Sequence, residues 1–276
     1  MNDITFIVCT KNSIDTIYNC LTSIKNYPVI LVDKDSNDGT LEVTKRFDNV
    51  IIIKQKGNGI ADARNIGLKK VKTEYVCMWG SDNVYVSYES VYVLNSLWGN
   101  NQLKIENIID YMKGKGWIGL SFQTRVYNPK TYLDKAINIW WAKRFTEGER
   151  TVIGTPCIYK ISVLKKYFYD ANCQFCDDSD LGERLTKAGL KQGYSPYYAY
   201  DVSINDLRSV ARRWKIYGLS DSQYYKKYSK DWGIFRKIKS LLHPITVEWI
   251  GLNLYYLPFY FLIVSIRAYN YYKGLK

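Results

Sequence analysis

Short apolar segments rich in β-branched residues alternate with helical patterns over the first 80 residues of this chain. The strand-like segments are 4–10, 29–32, 50–53 and 75–79, and those with apolar residues at helical spacing are 13–25, 41–47 and 60–71. This alternation is typical of an α/β fold, in which a mixed, mainly parallel central sheet carries helices on both faces. The first 80 residues are therefore predicted to build such a sheet.

Polar clusters follow three of these strands, at 10–12, 33–40 and 80–83. The carboxyl ends of parallel strands lie at one edge of a sheet, and the ligands of such folds bind beyond that edge. The three clusters are therefore expected to form one ligand site.

The patterns after residue 100 are weaker. Helices are predicted at 105–112 and 132–145, and strands at 117–127 and 157–159. The second helix contains the aromatic pair Trp140 and Trp141, which could stack on a sugar ring, although core packing is the commoner role of such residues.

The composition is typical of a globular protein, and its positive net charge implies a polyanionic neighbour. The 276 residues are 47% hydrophobic and 24% charged, with a formal net charge of +13. That charge suits nucleic acid, an anionic membrane surface or a phosphorylated substrate. No basic block is dense enough to indicate nucleic acid, which is therefore not expected as a partner.

The cysteines and the single histidine are weak candidates for a metal site or for catalysis, so carboxylates are the better candidates. Cys173 and Cys176 have zinc-like spacing, but no second pair or histidine stands nearby to complete a site. The six cysteines are expected to be reduced thiols of a cytoplasmic protein, and the early first strand predicts no signal peptide. Histidine catalysis would depend on His243 alone.

Three carboxylates lie within four residues, at Asp177, Asp178 and Asp180, with Arg184 behind them. One interpretation is an acidic first helical turn that complements the helix dipole, since a helical pattern covers 181–188. The other is a functional cluster, which holds a metal or a general base whose pKa is raised by its neighbours. The local sequence leaves both interpretations open.

Several segments of the chain, in this order, resemble the family 2 glycosyltransferases of the GT-A fold. They are TKNS (10–13), CLTSI (20–24), VDKDSNDGT (32–40), GNGIADARNIG (57–67), EYVCMWGSDN (74–83), GTPCIYK (154–160) and DDSDLGERLTKAG (177–189). The resemblance implies a Rossmann-like α/β sheet and an inverting hexosyltransferase that uses a nucleotide sugar, with UDP-sugars as the expected donors.

The resemblance also implies which residues contact the donor. These are Thr10, Asn12, Asp33, Asp35, Arg64, Ser81 and Asp82. Thr10 and Asp33 would contact the nucleoside, and Arg64 would contact the diphosphate, because a guanidinium can bond two phosphate oxygens. Lys34 stands where many relatives carry a second acid.

The family usually has an Asp-x-Asp motif whose acids hold a divalent metal against the diphosphate, and this chain departs from it. Gly80 replaces the first acid, so Asp82 is the firm ligand, and Asp177 or Asp180 could supplement it. Mg²⁺ or Mn²⁺ held by one carboxylate, phosphates and waters is chemically reasonable.

On the acceptor side, the resemblance assigns Asp178 as the general base. Asp177 takes the place of the family's usual glutamate. Four further residues are expected to contact the acceptor or to support the residues that do: Asp180, Arg184, Trp140 and Trp141.

The basic segment 208–218 is similar to one that closes over the diphosphate in relatives. Arg212 or Arg213 would then contact phosphate; the alternative is a solvated helix face. Val210 stands where processive synthases carry glutamine, which argues against a polymer synthase.

The composition changes after residue 231. Residues 232–243 read as a basic amphipathic helix, and 245–266 as 22 mostly apolar residues, about 33 Å if helical. Glu248, Asn253 and Pro258 argue against a simple span. The alternatives are interfacial helices on an anionic membrane, a single transmembrane span, or helices packed on the protein or on a partner subunit.

The prediction is thus a catalytic domain over 1–231, with a nucleotide-sugar half (1–100) and an acceptor half (101–231), followed by membrane-associating helices over 232–276. The enzyme would act on a glycan or lipid-linked acceptor at the cytoplasmic face of a membrane, and a dimer is one allowed oligomeric state. The rivals are a sugar nucleotidyltransferase, for which TKNS is no phosphate loop, and a binding module with a decayed active site.

Overall fold

A computed structural model describes residues 3–85, 105–249 and 253–276. The described strands are β1 (Ile4–Thr10), β2 (Val29–Asp33), β3 (Val50–Lys54), β4 (Tyr75–Gly80), β5 (Asn83–Val84), β6 (Gly119–Val126), β7 (Gly148–Glu149), β8 (Cys157–Lys160) and β9 (Gln192–Asp201). The described helices are α1 (Ile14–Ser23), α2 (Thr40–Thr44), α3 (Ile60–Leu68), α4 (Ile105–Gly114), α5 (Tyr132–Arg144), α6 (Ile161–Lys166), α7 (Asp177–Lys187), α8 (Leu207–Tyr228), α9 (Ile234–Thr246) and α10 (Leu257–Leu275).

The predicted α/β fold with a mixed, mainly parallel sheet is confirmed. Among the described residues, the strands follow the order β3-β2-β1-β4-β8-β6-β9-β5, with β7 beside β9. The first four strands are parallel, with Thr10 opposite Asp33 and Cys9 opposite Gly80. The polar clusters after β1, β2 and β4 therefore lie at one edge of the sheet, as the alternation predicted.

The second half of the sheet is mixed. β8 runs antiparallel to β4 and β6, whereas β6 and β9 are parallel. The ten-residue β9 was not predicted, because Pro196 and a run of tyrosines obscure its pattern. β9 ends at Asp201, which pairs with Asn83 of β5 and so carries this carboxylate to the polar edge.

Helix α7 begins earlier than the apolar pattern predicted. It starts at Asp177, so Asp177, Asp178 and Asp180 all lie in its first turn, where carboxylates interact favourably with the helix dipole. The α7 backbone also approaches its neighbour closely, since a Cβ at Gly182 would lie 2.3 Å from the carbonyl oxygen of Thr151. The carboxylates therefore form an acidic first helical turn, as one interpretation expected, and their functional role stays a prediction.

The carboxyl-terminal helices pack on the protein. The buried face of α10 comprises Phe259, Tyr260, Ile263, Arg267 and Tyr271, and it lies against α8. A Cβ at Gly218 of α8 would lie 2.4 Å from the Arg267 carbonyl oxygen, so this glycine permits the close crossing. The 1–231 and 232–276 division stays a prediction, and its internal boundary at residue 100 lies outside the described residues.

The apolar segment 245–266 is not one continuous helix. Helix α9 ends at Thr246, a 3₁₀ turn at Leu254–Tyr256 follows, and α10 begins at Leu257; residues 250–252 lie outside the described part. Pro258 occupies the first turn of α10, where its missing N–H costs no helical hydrogen bond. Within the described ranges, no helix has the length and apolar character needed to cross a bilayer.

Candidate active site

An open cavity of about 600 Å³ lies beyond the carboxyl edge of the sheet. Its walls come from the β4–β5 turn, the ends of α5 and β9, the first turn of α7 and one face of α8. The polar lining includes Asp82, Asp177, Asp178, Asp201 and Arg213. A cavity of this size with converging charges suits a polar ligand of nucleotide-sugar dimensions.

Arg64 holds the two leading carboxylates of α7. Its guanidinium Nη1 donates to Asp177 Oδ2 and, over 2.7 Å, to Asp178 Oδ1. Nη2 donates to the Thr155 hydroxyl over 2.7 Å, and the guanidinium carbon lies 4.9 Å from the Tyr169 ring centroid. Arg64 is 8% exposed and does not line the cavity. The expected diphosphate contact is therefore unfavourable in this arrangement, because the guanidinium already binds the carboxylates.

Asp178 has the electrostatics of a general base. Burial raises the pKa of its carboxyl to about 6; Arg64 opposes this shift and Asp177 adds to it. The carboxylate still lines the cavity, with 27% of the side chain exposed. A Cβ on Gly154 would lie 3.7 Å from Asp178 Oδ2, so this glycine leaves room beside the carboxylate. A hydroxyl in the cavity could therefore approach an anionic oxygen at neutral pH.

Asp180 and Arg184 belong to a separate buried network. Asp180 is fully buried; it accepts from Arg184 Nε over 2.9 Å, from Lys227 Nζ over 2.5 Å and from the Tyr228 hydroxyl over 2.6 Å. Neither Asp180 nor Arg184 lines the cavity. Their expected supporting role thus amounts to fixing α7 against α8, and Asp180 is not placed to supplement a metal at Asp82.

A second group of possible metal ligands, Asp170, Cys173 and Asp180, coincides with this network. The Lys227 ammonium lies 2.6 Å from Asp170 Oδ2, 3.3 Å from Cys173 Sγ and 2.5 Å from Asp180 Oδ1. One lysine cation therefore already balances these carboxylates, which makes a metal there unnecessary.

Asp82 and Asp201 fit a hard divalent cation better. Burial, followed by the negative charge of Asp201, raises the pKa of Asp82 to about 6, although the positive charge of Arg213 opposes this rise. Asp82 lies in the turn between β4 and β5, and Asp201 ends β9, the strand that pairs with β5; the Val202 N–H donates to the Asp82 carbonyl over 2.9 Å. Two carboxylates that line one cavity form a donor set of the kind that Mg²⁺ or Mn²⁺ prefers.

Gly80 explains the departure from the Asp-x-Asp pattern. A Cβ at this position would lie 2.5 Å from Asp82 Oδ1 and 2.6 Å from Asn83 Oδ1. Asn83 Oδ1 also accepts from the Gly80 N–H over 3.1 Å. The Asp82 carboxylate therefore lies close to residue 80, and Asp201 is a candidate for the second acid.

We expect Gly80→Ala to weaken Mn²⁺ binding while the protein stays folded. The new methyl group would push the Asp82 carboxylate out of position, because contacts below 3.0 Å cannot be kept. Calorimetric titration with Mn²⁺ and UDP should show a dissociation constant raised about tenfold or more, on the scale of a misplaced metal ligand. Gly114→Ala is the matched control, since a Cβ there meets nothing within 4 Å. Equal affinity in the two variants would contradict this account of Gly80.

The remaining donor-side candidates lie at the sheet edge, outside the lining of the cavity. Asp33 is 3% exposed and accepts from the Ser36 N–H over 3.0 Å and from its hydroxyl over 2.5 Å. Thr10 donates to the Ser13 hydroxyl over 2.8 Å, and Ser13 in turn lies 3.0 Å from the Ser81 hydroxyl. These contacts order the turns that a nucleoside would have to meet.

Asn12 and Asp35 are held in turns as well. Asn12 Oδ1 accepts from the Asn37 N–H over 3.0 Å, and Asp35 pairs with Lys54 over 2.7 Å at the surface. Both residues adopt a left-handed backbone, with φ of 52° and 51°. Their donor contacts stay predictions.

Trp140 and Trp141 serve mainly as core. They are 1% and 3% exposed, and Trp140 packs edge-on against Trp214 at 5.3 Å. The Trp141 indole N–H, however, is buried without a hydrogen-bond partner in the described part, and Trp141 lines the cavity. Stacking on a sugar face is therefore unfavourable, whereas the Trp141 indole N–H is an available donor.

Arg212 and Arg213, the two candidate phosphate contacts on α8, have different surroundings. Arg213 lines the cavity, donates to Ser203 and Asn205 over 3.1 and 3.2 Å, and lies 3.8 Å from Asp201. Arg212 is exposed and does not line the cavity. The expected phosphate contact is thus favoured for Arg213 and disfavoured for Arg212.

Asp201 and Thr155 are the candidate functional residues that the sequence did not reveal. Asp201 ends a strand whose pattern was obscured, and Thr155 positions Arg64 through a contact across 91 residues. A polar residue at a strand end was the one available signal for Asp201.

The chain is similar to known glycosyltransferases in sequence and in fold. The family model described as Glycosyl transferase family 2 matches residues 5–95. The poly(ribitol-phosphate) β-N-acetylglucosaminyltransferase TarP of Staphylococcus aureus (strain N315) is 33% identical over 60% of this chain and 49% of its own length. The UDP-Glc:α-D-GlcNAc-diphosphoundecaprenol β-1,3-glucosyltransferase WfaP of Escherichia coli is 33% identical over 32% of this chain and 38% of its own.

Among solved structures, a mannosyltransferase of Pyrobaculum calidifontis in complex with GDP-Man and Mn²⁺ is similar, with a TM-score of 0.57. The likeness covers 97% of this chain and 75% of that one at 16% identity, which supports the shared fold. The chain spans about half the length of TarP and less of several other curated relatives.

Proposed function

We propose that this chain, whose residues 5–95 match the family 2 glycosyltransferase model, transfers a hexosyl group from a nucleoside diphosphate sugar to a hydroxyl of a glycan or lipid-linked acceptor. The observation that carries this proposal is Asp178, a carboxylate that is held by Arg64 and lines the same cavity as Asp82 and Asp201. The cavity thus has a base on one wall and candidate metal ligands on another.

The chemistry needs one displacement. The acceptor hydroxyl gives its proton to the Asp178 carboxylate as its oxygen forms a bond to the anomeric carbon. The bond from that carbon to the diphosphate oxygen breaks on the opposite face, and the nucleoside diphosphate leaves with the electron pair. Attack opposite the leaving group inverts the anomeric configuration. Arg64 keeps Asp178 oriented and limits the rise of its pKa.

A divalent metal, Mn²⁺ or Mg²⁺, would be held by Asp82 and Asp201. When bound, such an ion neutralises diphosphate charge and stabilises the leaving group as a Lewis acid. Arg213, which lies beside Asp201, is positioned to receive a phosphate oxygen as well. The Mn²⁺ of the Pyrobaculum mannosyltransferase complex supports a metal of this type.

We propose UDP as the nucleotide and a membrane-held acceptor. The name of the WfaP relative, which contains UDP-glucose and a diphosphoundecaprenol acceptor, supports both choices. The basic, aromatic-rich region after residue 231 supports peripheral association with the cytoplasmic face of a membrane. The sugar, the linkage and the oligomeric state are left open by this proposal.

A binding module with a decayed active site is the rival of a different class. Gly80, which stands in place of the first acid of the Asp-x-Asp motif, is the feature that favours decay, but Asp201 lines the same cavity as Asp82 and could supply the second carboxylate. A module without chemistry would also have little use for a cavity-facing carboxyl whose pKa is raised to about 6.

The direct test is nucleotide release. The protein should be incubated with a panel of UDP-hexoses, GDP-mannose and a lipid-linked glycan extract, with and without Mn²⁺. We expect Mn²⁺-dependent UDP release from at least one UDP-hexose, and loss of this release in Asp82→Ala and Asp201→Ala. Release of GDP alone would overturn the UDP assignment, and release of no nucleotide under any condition would overturn the proposed transfer.

A further inference from the structure

Helix α9 carries an apolar stripe that no described residue covers. The stripe consists of Ile234, Phe235, Ile238, Leu242 and Ile245. Phe235 is 87% exposed and Ile234 is 63% exposed, which is unusual for side chains of this size. The spacing of the five residues places them on one face of the helix. This face therefore has the form of a docking surface.

Basic residues flank the α9 stripe. Lys237 and Lys239 take part in no ion pair within the described part of the chain, and α9 contains no acidic residue. Arg236 differs, because its Nη2 donates to Glu183 Oε2 over 2.7 Å. The stripe thus combines exposed apolar side chains with two lysine charges that no carboxylate balances.

The opposite side of α9 is anchored to the protein. The hydroxyls of Tyr271 and Tyr272 on α10 donate to the carbonyls of Ser240 and Leu241 over 3.2 and 2.9 Å. The Arg236–Glu183 pair ties the start of α9 to α7, the helix that begins with Asp177 and Asp178. Whatever binds the stripe is therefore held at a fixed position relative to the candidate base.

The positive charge beside the α9 stripe indicates which partner would bind it. A second copy of this chain would bring a helix rich in lysine against an identical helix, and like charges at such a contact are repulsive. An anionic bilayer complements both parts of the surface, because the apolar side chains enter the acyl boundary while lysines reach the headgroups. The net charge of +13 adds long-range attraction to the same partner.

We propose that the α9 stripe docks the protein on an anionic lipid surface. Its consequence for catalysis rests on the proposed function: docking through α9 would hold α7 and the cavity near the bilayer, where a lipid-linked acceptor is presented. Helix α10, by contrast, buries one face against α8 and contributes packing rather than the principal lipid contact.

The test is flotation of the full chain with vesicles of phosphatidylglycerol and phosphatidylcholine, compared with phosphatidylcholine alone. Wild-type protein should float with the anionic vesicles, and more weakly as salt increases. Phe235→Ser with Ile238→Ser should lower the partition coefficient roughly tenfold or more. Lys237→Gln with Lys239→Gln should lower it roughly fivefold for each lysine at low salt. Ile51→Ser is the matched control, because Ile51 is 65% exposed on the edge strand β3.

Two further readouts keep the outcomes distinct. Thermal stabilisation by UDP and Mn²⁺ should be the same in the wild type and in all these variants. If neither the wild type nor any variant is stabilised, the result counts against the proposed function and leaves the docking surface intact. Flotation of the stripe variants at the wild-type level, or no flotation of the wild type, would overturn the docking surface. A wild-type dimer that Phe235→Ser with Ile238→Ser dissociates, without a change in flotation, would make the stripe an interface between copies and overturn it as well.

Discussion

Replacing Asp178 by asparagine should lower the turnover number for sugar transfer by about 10²–10⁴-fold, the usual contribution of a positioned general base. Asparagine keeps the shape of the side chain and an oxygen that can accept from Arg64, so the cavity should survive. Binding of the donor should therefore change little. Turnover is measured as UDP release at saturating donor and acceptor.

Asp177→Asn is the matched comparison, because Asp177 is the adjacent carboxylate and shares the same Arg64 nitrogen. The account predicts a smaller loss of turnover in this variant, since Asp177 is 8% exposed at the side chain against 27% for Asp178. If Asp177→Asn loses more turnover, and the turnover of Asp178→Asn stays within threefold of wild type, then Asp177 and not Asp178 is the general base.

The same base sets the expected pH dependence. Burial raises the pKa of Asp178 to about 6, and the carboxylate must be ionised to accept a proton. Transfer should therefore rise as pH increases towards 6 and level off above it. At saturating donor and Mn²⁺, where a bound ion would keep Asp82 ionised, Asp178→Asn should lack this ascending limb, whereas a variant that is merely less stable would retain it.

Replacing Arg64 by methionine should destabilise the fold by about 3–5 kcal/mol, because it leaves two carboxylates in a buried site without their shared cation. Equilibrium denaturation with urea at pH 8 measures the loss. The penalty should shrink at pH 5. Without the guanidinium the pKa of Asp178 rises further, so the folded variant takes up a proton as pH falls and the repulsion is relieved.

Lys191→Met provides the matched control, since the Lys191–Glu149 pair is exposed at the surface with an N···O distance of 3.2 Å. Removal of such a pair should cost no more than about 1 kcal/mol. If Arg64→Met and Lys191→Met unfold at the same urea concentration, the buried arginine does not stabilise the acidic turn.

The parallel half of the fold follows from local patterns. Segments 4–10, 50–53 and 75–79 coincide with β1, β3 and β4 to within one residue, because each is a short apolar run bounded by polar turns. The polar turns after β1, β2 and β4 meet at one edge, as the parallel arrangement requires. Local chemistry was sufficient here because the connections are short.

Long-range pairing accounts for what the sequence concealed. Arg64 and Asp177 are 113 residues apart, and nothing local indicates that the arginine binds carboxylates instead of phosphate. Asp201 reaches the site only through the pairing of β5 with β9. Residue 80 is glycine because Asp82 and Asn83 occupy the space of its side chain. Each of these features depends on tertiary contacts that a linear pattern does not encode.

The carboxyl-terminal segment illustrates the same limit in a different way. Its apolar content left interfacial helices, a single span and helices packed on the protein as alternatives, and in the structure helix α9 ends at Thr246 while helix α10 begins at Leu257. Pro258 starts a helix because its fixed φ suits the first turn. Hydropathy alone did not distinguish an apolar face packed on α8 from one exposed to a lipid surface.

The central claim is that the cavity binds a nucleoside diphosphate with a metal held by Asp82 and Asp201. The most direct measurement is thermal unfolding with UDP, GDP or ADP, each with and without Mn²⁺. A nucleotide present at a hundred times its dissociation constant adds about 2.7 kcal/mol, a shift of several degrees for a chain of this size. The account predicts a Mn²⁺-dependent shift with UDP that is absent in Asp82→Ala. Unfolding temperatures that no nucleotide changes, with or without Mn²⁺, would contradict it.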